Sequence, residues 1–149
     1  MEGQSQVTSP YCTIMLATDG SREARRASMH AIYLARALGI KLYVLYVVDT
    51  HRTQTLGIHF AEAVQELKQS GENAIADILA VAKDVGVDAE GILAEGSPGP
   101  QVCQVARERK VDLIVVGATG KSALAEILMG SVSRYVTDHA KQPVLVVRS

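Results

Sequence analysis

Short, mostly aliphatic runs alternate along this chain with longer stretches in which apolar residues recur every third or fourth position. The short runs, residues 11–17, 41–48, 87–95, 111–116 and 143–147, read as five strands. Their composition fits strands buried on both faces, as in a parallel sheet covered by helices on each side. The longer stretches supply those helices. Over 22–38 the apolar face is Ala24, Ala27, Ala31, Leu34, Ala35 and Leu38, and Gly39 follows at the expected C′ position. A second stretch runs from Phe60 to Val85, with Gly71 a candidate kink and Gly86 the stop. Ser97-Pro98 offers a cap ahead of a proline suited to the first helical position, opening a helix to about residue 110. The last helix is expected over 131–140, with a short one around 124–129 inside the preceding loop. Gly91 interrupts the third strand and makes it the least regular.

Right-handed crossovers between these strands predict an α/β fold: a single-domain, doubly wound sandwich over 1–149, its five-stranded parallel sheet ordered 3-2-1-4-5. The winding reverses between the first and fourth strands. Ligands of such sheets bind outside the carboxyl ends of the strands at that reversal. This singles out residues 18–21, 47–50, 95–99 and the loop from Gly117 onward.

The chain has 149 residues, 48% hydrophobic and 21% charged, which suits one domain with a full core. A net charge of −1 leaves no electrostatic footprint for DNA or RNA. No apolar run is long enough to span a bilayer, and residues 1–10 are polar, without the features of a secretory leader. A cytoplasmic protein without a membrane partner is expected, with residues 1–10 loosely ordered. Residues 49–57, polar and rich in His, Thr and Gln, are the other candidate loose segment. Cys12 and Cys103 lie in apolar segments with no metal-ligand spacing, and read as buried, reduced thiols. His30, His51, His59 and His139 form no spaced set, so no protein metal site is expected, and His139 suits a helix C-terminus. Arg22, Arg25 and Arg26 lie outside the apolar face and read as solvated.

The loop after the fourth strand reads Gly117-Ala118-Thr119-Gly120, then nine residues, then Gly130-Ser131-Val132. Gly117 and Gly120 lack side chains where the strand turns into the loop, so backbone N–H groups can reach an anion. Gly130 and Ser131 open a helix whose first N–H groups are unpaired and whose dipole end is positive. The Ser131 hydroxyl can donate to a phosphate oxygen or cap the helix. Asp19 can contact a ligand or cap the first helix. Two glycine-lined anion pockets across one loop suit a polyphosphate. Gly120-Lys121-Ser122 does not complete a Walker A loop, because Val115 stands where that motif needs glycine. No G-x-G-x-x-G follows the first strand.

On these residues the chain resembles the universal stress protein family, in its ATP-binding branch. That branch's pattern, G-x-x-G-x9-G-[S/T], is matched by Gly117, Gly120, Gly130 and Ser131, and the likeness extends along essentially the whole chain. The resemblance implies a Rossmann-like fold of the adenine nucleotide alpha-hydrolase-like kind. It further implies ATP as ligand, with Mg2+ or Mn2+ carried on the phosphates. Carried over, Asp19 lies near the ribose, Val47 offers its backbone to adenine, and Gly117 contacts ribose. Gly120, Gly130, Ser131 and Val132 hold the phosphates. Thr119 departs from the basic or imidazole side chain of many relatives. The resemblance also implies a homodimer paired through residues 144–147.

Two functions follow as expectations: a nucleotide-dependent regulatory or stress-response protein with slow or no ATP hydrolysis, or a weak ATPase or phosphotransferase. Phosphoryl transfer needs an oriented nucleophile and charge stabilisation in line with the γ-phosphate. The loop offers Thr119, Lys121, Ser122 and Glu126 but no base–nucleophile pair, so no catalytic residue is assigned.

Overall fold

A computed structural model describes residues 8–53, 57, 59–119 and 129–148. Gly120, residues 124–128 of the short helix expected near 124–129 and residues 1–7 lie outside the described residues. Strands β1 (Thr13–Thr18), β2 (Lys41–Asp49), β3 (Ala89–Gly96), β4 (Leu113–Gly117) and β5 (Val144–Val147) alternate with helices α1 (Ala24–Leu38), α2 (Thr50–Thr53), α3 (Phe60–Asp84), α4 (Pro98–Glu108) and α5 (Ser131–His139). The sheet order is 3-2-1-4-5 and every pairing is parallel, as expected.

The period of two along each strand divides the core into two layers. Ile14, Leu16, Val44 and Val115 face one side, where Ala27, Ala31 and Ala35 of α1 and Ile75 and Ala82 of α3 pack on them. Met15, Leu45, Ile114 and Val116 face the other, against Val102 and Val105 of α4 and Val136 of α5. The central strands thus bury both faces, which is why their sequences are aliphatic throughout.

Local chemistry sets the ends. Helix α1 begins two residues later than expected because residues 19–21 form a turn. The Asp19 Oδ1 accepts the Ser21 N–H at 2.9 Å, and Ser21 Oγ accepts the Ala24 N–H at 3.2 Å. Gly39 closes α1 at φ 64°, a left-handed conformation glycine adopts without strain. Ile32 is buried on α1, whereas Leu38, assigned to the apolar face, is 39% exposed at the helix end.

Three expectations change. Gly71 is buried within a continuous helix and serves close packing: a Cβ there would stand 2.6 Å from Tyr46 Cδ1. Ser97 occupies the N-cap of α4 ahead of Pro98, but its side chain makes no cap hydrogen bond. The thiols are not both buried. Cys12 is exposed, because it precedes β1 in the lead-in to the sheet, and Cys103 is half-buried on α4. Burial pushes the Cys103 thiol up from its ordinary pKa, against the opposing pull of the Arg107 charge.

Candidate functional site

The β1, β2 and β4 strands deliver their last residues to one rim of the sheet, and the starts of α4 and α5 complete it. A cavity of about 380 Å³ opens there, within the size range of small-molecule sites. Its apolar walls come from Ala17, Leu45, Val102 and Val116, with Tyr46 and Leu67 on the α3 side. Asp19 and Asp49 are the charged side chains among the described lining residues. Among the described residues no Lys, Arg or His lines it, and what they offer an anion is backbone amides and a helix dipole.

Helix α5 supplies that end. Its N-cap Gly130 is extended (φ −75°, ψ 170°), and Ser131 and Val132 open the helix on the cavity wall. First-turn N–H groups have no acceptor within their own helix. The Gly130 N–H itself is used, donating to the Ala118 carbonyl. Gly130 therefore contributes a bare, close-set backbone, and the amides left for an anion are those following it. Ser133 fixes this geometry. Its buried hydroxyl lies 2.9 Å from the Ala118 carbonyl oxygen and 3.0 Å from that of Gly130, tying the two ends of the loop together. The Ala118 N–H donates to the Val147 carbonyl at 2.8 Å, anchoring the same loop to β5. At Gly117 an added Cβ would stand 3.3 Å from the Thr119 carbonyl oxygen.

Across the cavity, the Thr18 Oγ1 accepts the Gly20 N–H at 3.1 Å, and with the Asp19 bond to Ser21 it shapes the turn into α1. Asp19 thus acts in a turn; the helix N-cap is Glu23.

Of the residues singled out in the sequence, Asp19, Val47, Gly117, Gly130, Ser131 and Val132 all line this one cavity; Gly120 falls outside the described residues. Thr18, Asp49 and Pro98 also line the cavity and fall within the segments singled out at the strand ends, whereas sequence reasoning missed Tyr46, Leu67, Val102 and Ser133. The signal for Ser133 was present: three positions before the apolar Val136, it falls on the inward face of α5. Among the described residues no group of three His, Cys, Asp or Glu side chains is placed to hold a metal.

Residues 10–148 match the Universal stress protein family. The chain belongs to the universal stress protein family. A universal stress protein of Methanocaldococcus jannaschii is 37% identical over 140 residues, 93% of this chain and 82% of the relative. Among solved structures, a universal stress protein from Lactobacillus plantarum superposes with a TM-score of 0.87 at 27% identity, over 95% of this chain and all of its own. A universal stress protein in complex with cAMP matches at 29% identity and TM-score 0.69, over 94% of this chain and 98% of its own. The Archaeoglobus fulgidus universal stress protein in complex with dAMP matches at 25% and 0.66, over 91% and 97%. In this universal stress protein the described ends of the segment joining β4 to α5, Gly117–Thr119 and Met129–Ser133, lie on the cavity wall.

Proposed function

We propose that this chain binds an adenine nucleotide, with ATP as its ligand, and acts as a nucleotide-responsive regulatory protein of the cytoplasm. The observation that carries this reading is the convergence of Asp19, Val47, Gly117, Ser131 and Val132 on one cavity at the winding reversal of the sheet. The apolar walls suit a purine base beside the Val47 backbone. The ribose lies toward Asp19 and Gly117, and the phosphates lie on the opening amides of α5, with Gly120 completing the loop. Two structural neighbours were solved with cAMP and dAMP, so adenine nucleotides fit this architecture elsewhere. Mg2+ or Mn2+ would be held mainly through phosphate oxygens, as is usual for Mg2+. The carboxylates of Asp19 and Asp49 on the cavity wall favour such a neutralising ion beside a polyphosphate.

Among the described residues lining the cavity, none pairs a base with a nucleophile, so hydrolysis is expected to be slow or absent. Denaturing the freshly purified protein and weighing what it releases tests the ligand: ATP is expected, and a protein that releases no nucleotide and takes up none contradicts the reading. Single-turnover hydrolysis tests the role, since a turnover rate of ordinary enzymes, about 10 per second, would make it an ATPase. Strand β5 lies at the sheet edge, and the same reading has it pair with a second copy to form a homodimer.

A further inference from the structure

The two faces of the sandwich differ in what they show to solvent. Helices α1 and α3 cover one face. All the large hydrophobic side chains that stand exposed among the described residues lie on these two helices: Met29, Tyr33 and Leu38 on α1, and Val81 on α3. Met29 and Tyr33 are 69% and 71% exposed, one turn apart.

Charge divides the same layer. The outward side of α1 and the turn before it presents Arg22, Arg25, Arg26 and Arg36 around Met29 and Tyr33, at spacings of three and four. That side lies opposite the buried Ala27, Ala31 and Ala35. Glu23, exposed at the N-cap, is the one carboxylate at the start of α1; no acidic residue stands in its first turn, where the helix dipole disfavours the cations Arg25 and Arg26. On α3, Glu62, Glu66, Asp77 and Asp84 recur near whole-turn spacings, with Val81 beside them, opposite the buried Gly71, Ile75 and Ala82. Among the described residues no ion pair within 4.0 Å joins α1 to α3; those present join Lys41 and Arg109 to Glu90, His59 to Glu62, and Lys68 to Glu95.

We infer that the α1–α3 layer docks a second copy of this chain, the basic stripe of α1 lying on the partner's acidic α3 and the reverse across a two-fold axis. A two-fold interface must be self-complementary, and a basic stripe beside an acidic one, each with exposed apolar residues, meets that condition on one surface. An unrelated acidic partner would use α1 and leave the α3 stripe without a role. This contact is separate from pairing of β5, which lies at the sheet edge.

Light scattering on native chain and on charge-reversed variants tests the inference. Arg25→Glu with Arg26→Glu, or Glu66→Lys with Asp77→Lys, should each halve the native mass. The four changes combined in one chain should restore it. All four positions face solvent, and circular dichroism should show the fold unchanged. A native mass indifferent to both reversals overturns the inference, as does failure of the combined variant to regain it. Native chain that instead co-sediments with phosphatidylserine vesicles, loses this with Arg25→Glu/Arg26→Glu, and keeps its mass also overturns it, assigning the basic stripe to a membrane surface.

Discussion

At Ser131 a phosphate donor can be removed without removing a helix bond. The residue stands at the first position of α5, where proline is well tolerated because the N–H has no helical partner. The residue before a proline must be extended, and Gly130 already is, at φ −75° and ψ 170°. Ser131→Pro is therefore expected to leave the melting temperature within about 3 °C of native, a shift worth less than ~1 kcal/mol. Ser131→Ala removes only the hydroxyl, so comparing the two variants separates hydroxyl from amide. Asp112 shows a polar exception that mattered. It breaks an aliphatic run, and its Oδ2 accepts the Cys12 and Thr13 N–H groups at 2.7 and 3.0 Å, fastening the start of β1 beside β4. Asp112→Ala should cost about 1–3 kcal/mol in a denaturant titration, because those amides lose a charged acceptor. The two thiols should also part company. The thiolate is the reactive form, and the raised pKa of half-buried Cys103 keeps its thiolate fraction low as pH rises through the ordinary thiol range. Iodoacetamide at pH 8 should label exposed Cys12 first, and mass mapping of the peptides would show the order.

Between elements, glycines set how closely helix and strand approach, and this is where sequence is least informative. Gly71 reads as a weak point in a helix until the Tyr46 ring, on a strand far off in sequence, is found against it. Gly99 is similar: an added Cβ would meet the Tyr135 ring at 2.7 Å, so this glycine sets the seat of α5 against α4. Such contacts join residues with no shared local pattern, so neither periodicity nor turn chemistry reveals them. Gly71→Ala should cost about 1–3 kcal/mol through overpacking. Because Tyr46 lines the cavity, it should also weaken nucleotide binding. Gly86→Ala is the matched control: φ is 78° with open space around it, so it should cost about 1–2 kcal/mol through backbone strain yet leave binding unchanged. The strand order and the helix caps at Gly39 and Gly86 were legible, because buried parallel strands and left-handed caps each demand particular residue types. The exposed position of Cys12 was not, since its apolar neighbours begin the strand one residue later.

For the whole molecule, the edge of the sheet and the mouth of the cavity are joined through one loop. Ala118 bonds to Val147 of β5 and receives the Gly130 N–H, so the edge strand and the anion end of the cavity share an anchor. Val146→Lys, on the edge strand, should halve the native mass in sedimentation and leave the pair held through α1 and α3; an unchanged profile from folded protein would count against pairing through β5. The claim on which the functional account rests is that the opening amides of α5 grip a polyphosphate. Calorimetric titration of Mg-ATP into native chain and into Ser131→Pro tests it most directly, with adenosine as the reference ligand. Loss of an amide and hydroxyl to a charged acceptor, about 1.5–3 kcal/mol, should weaken ATP roughly ten- to hundredfold and leave adenosine unchanged. No heat from native chain at millimolar Mg-ATP, or equal ATP affinity in the two proteins, would contradict it.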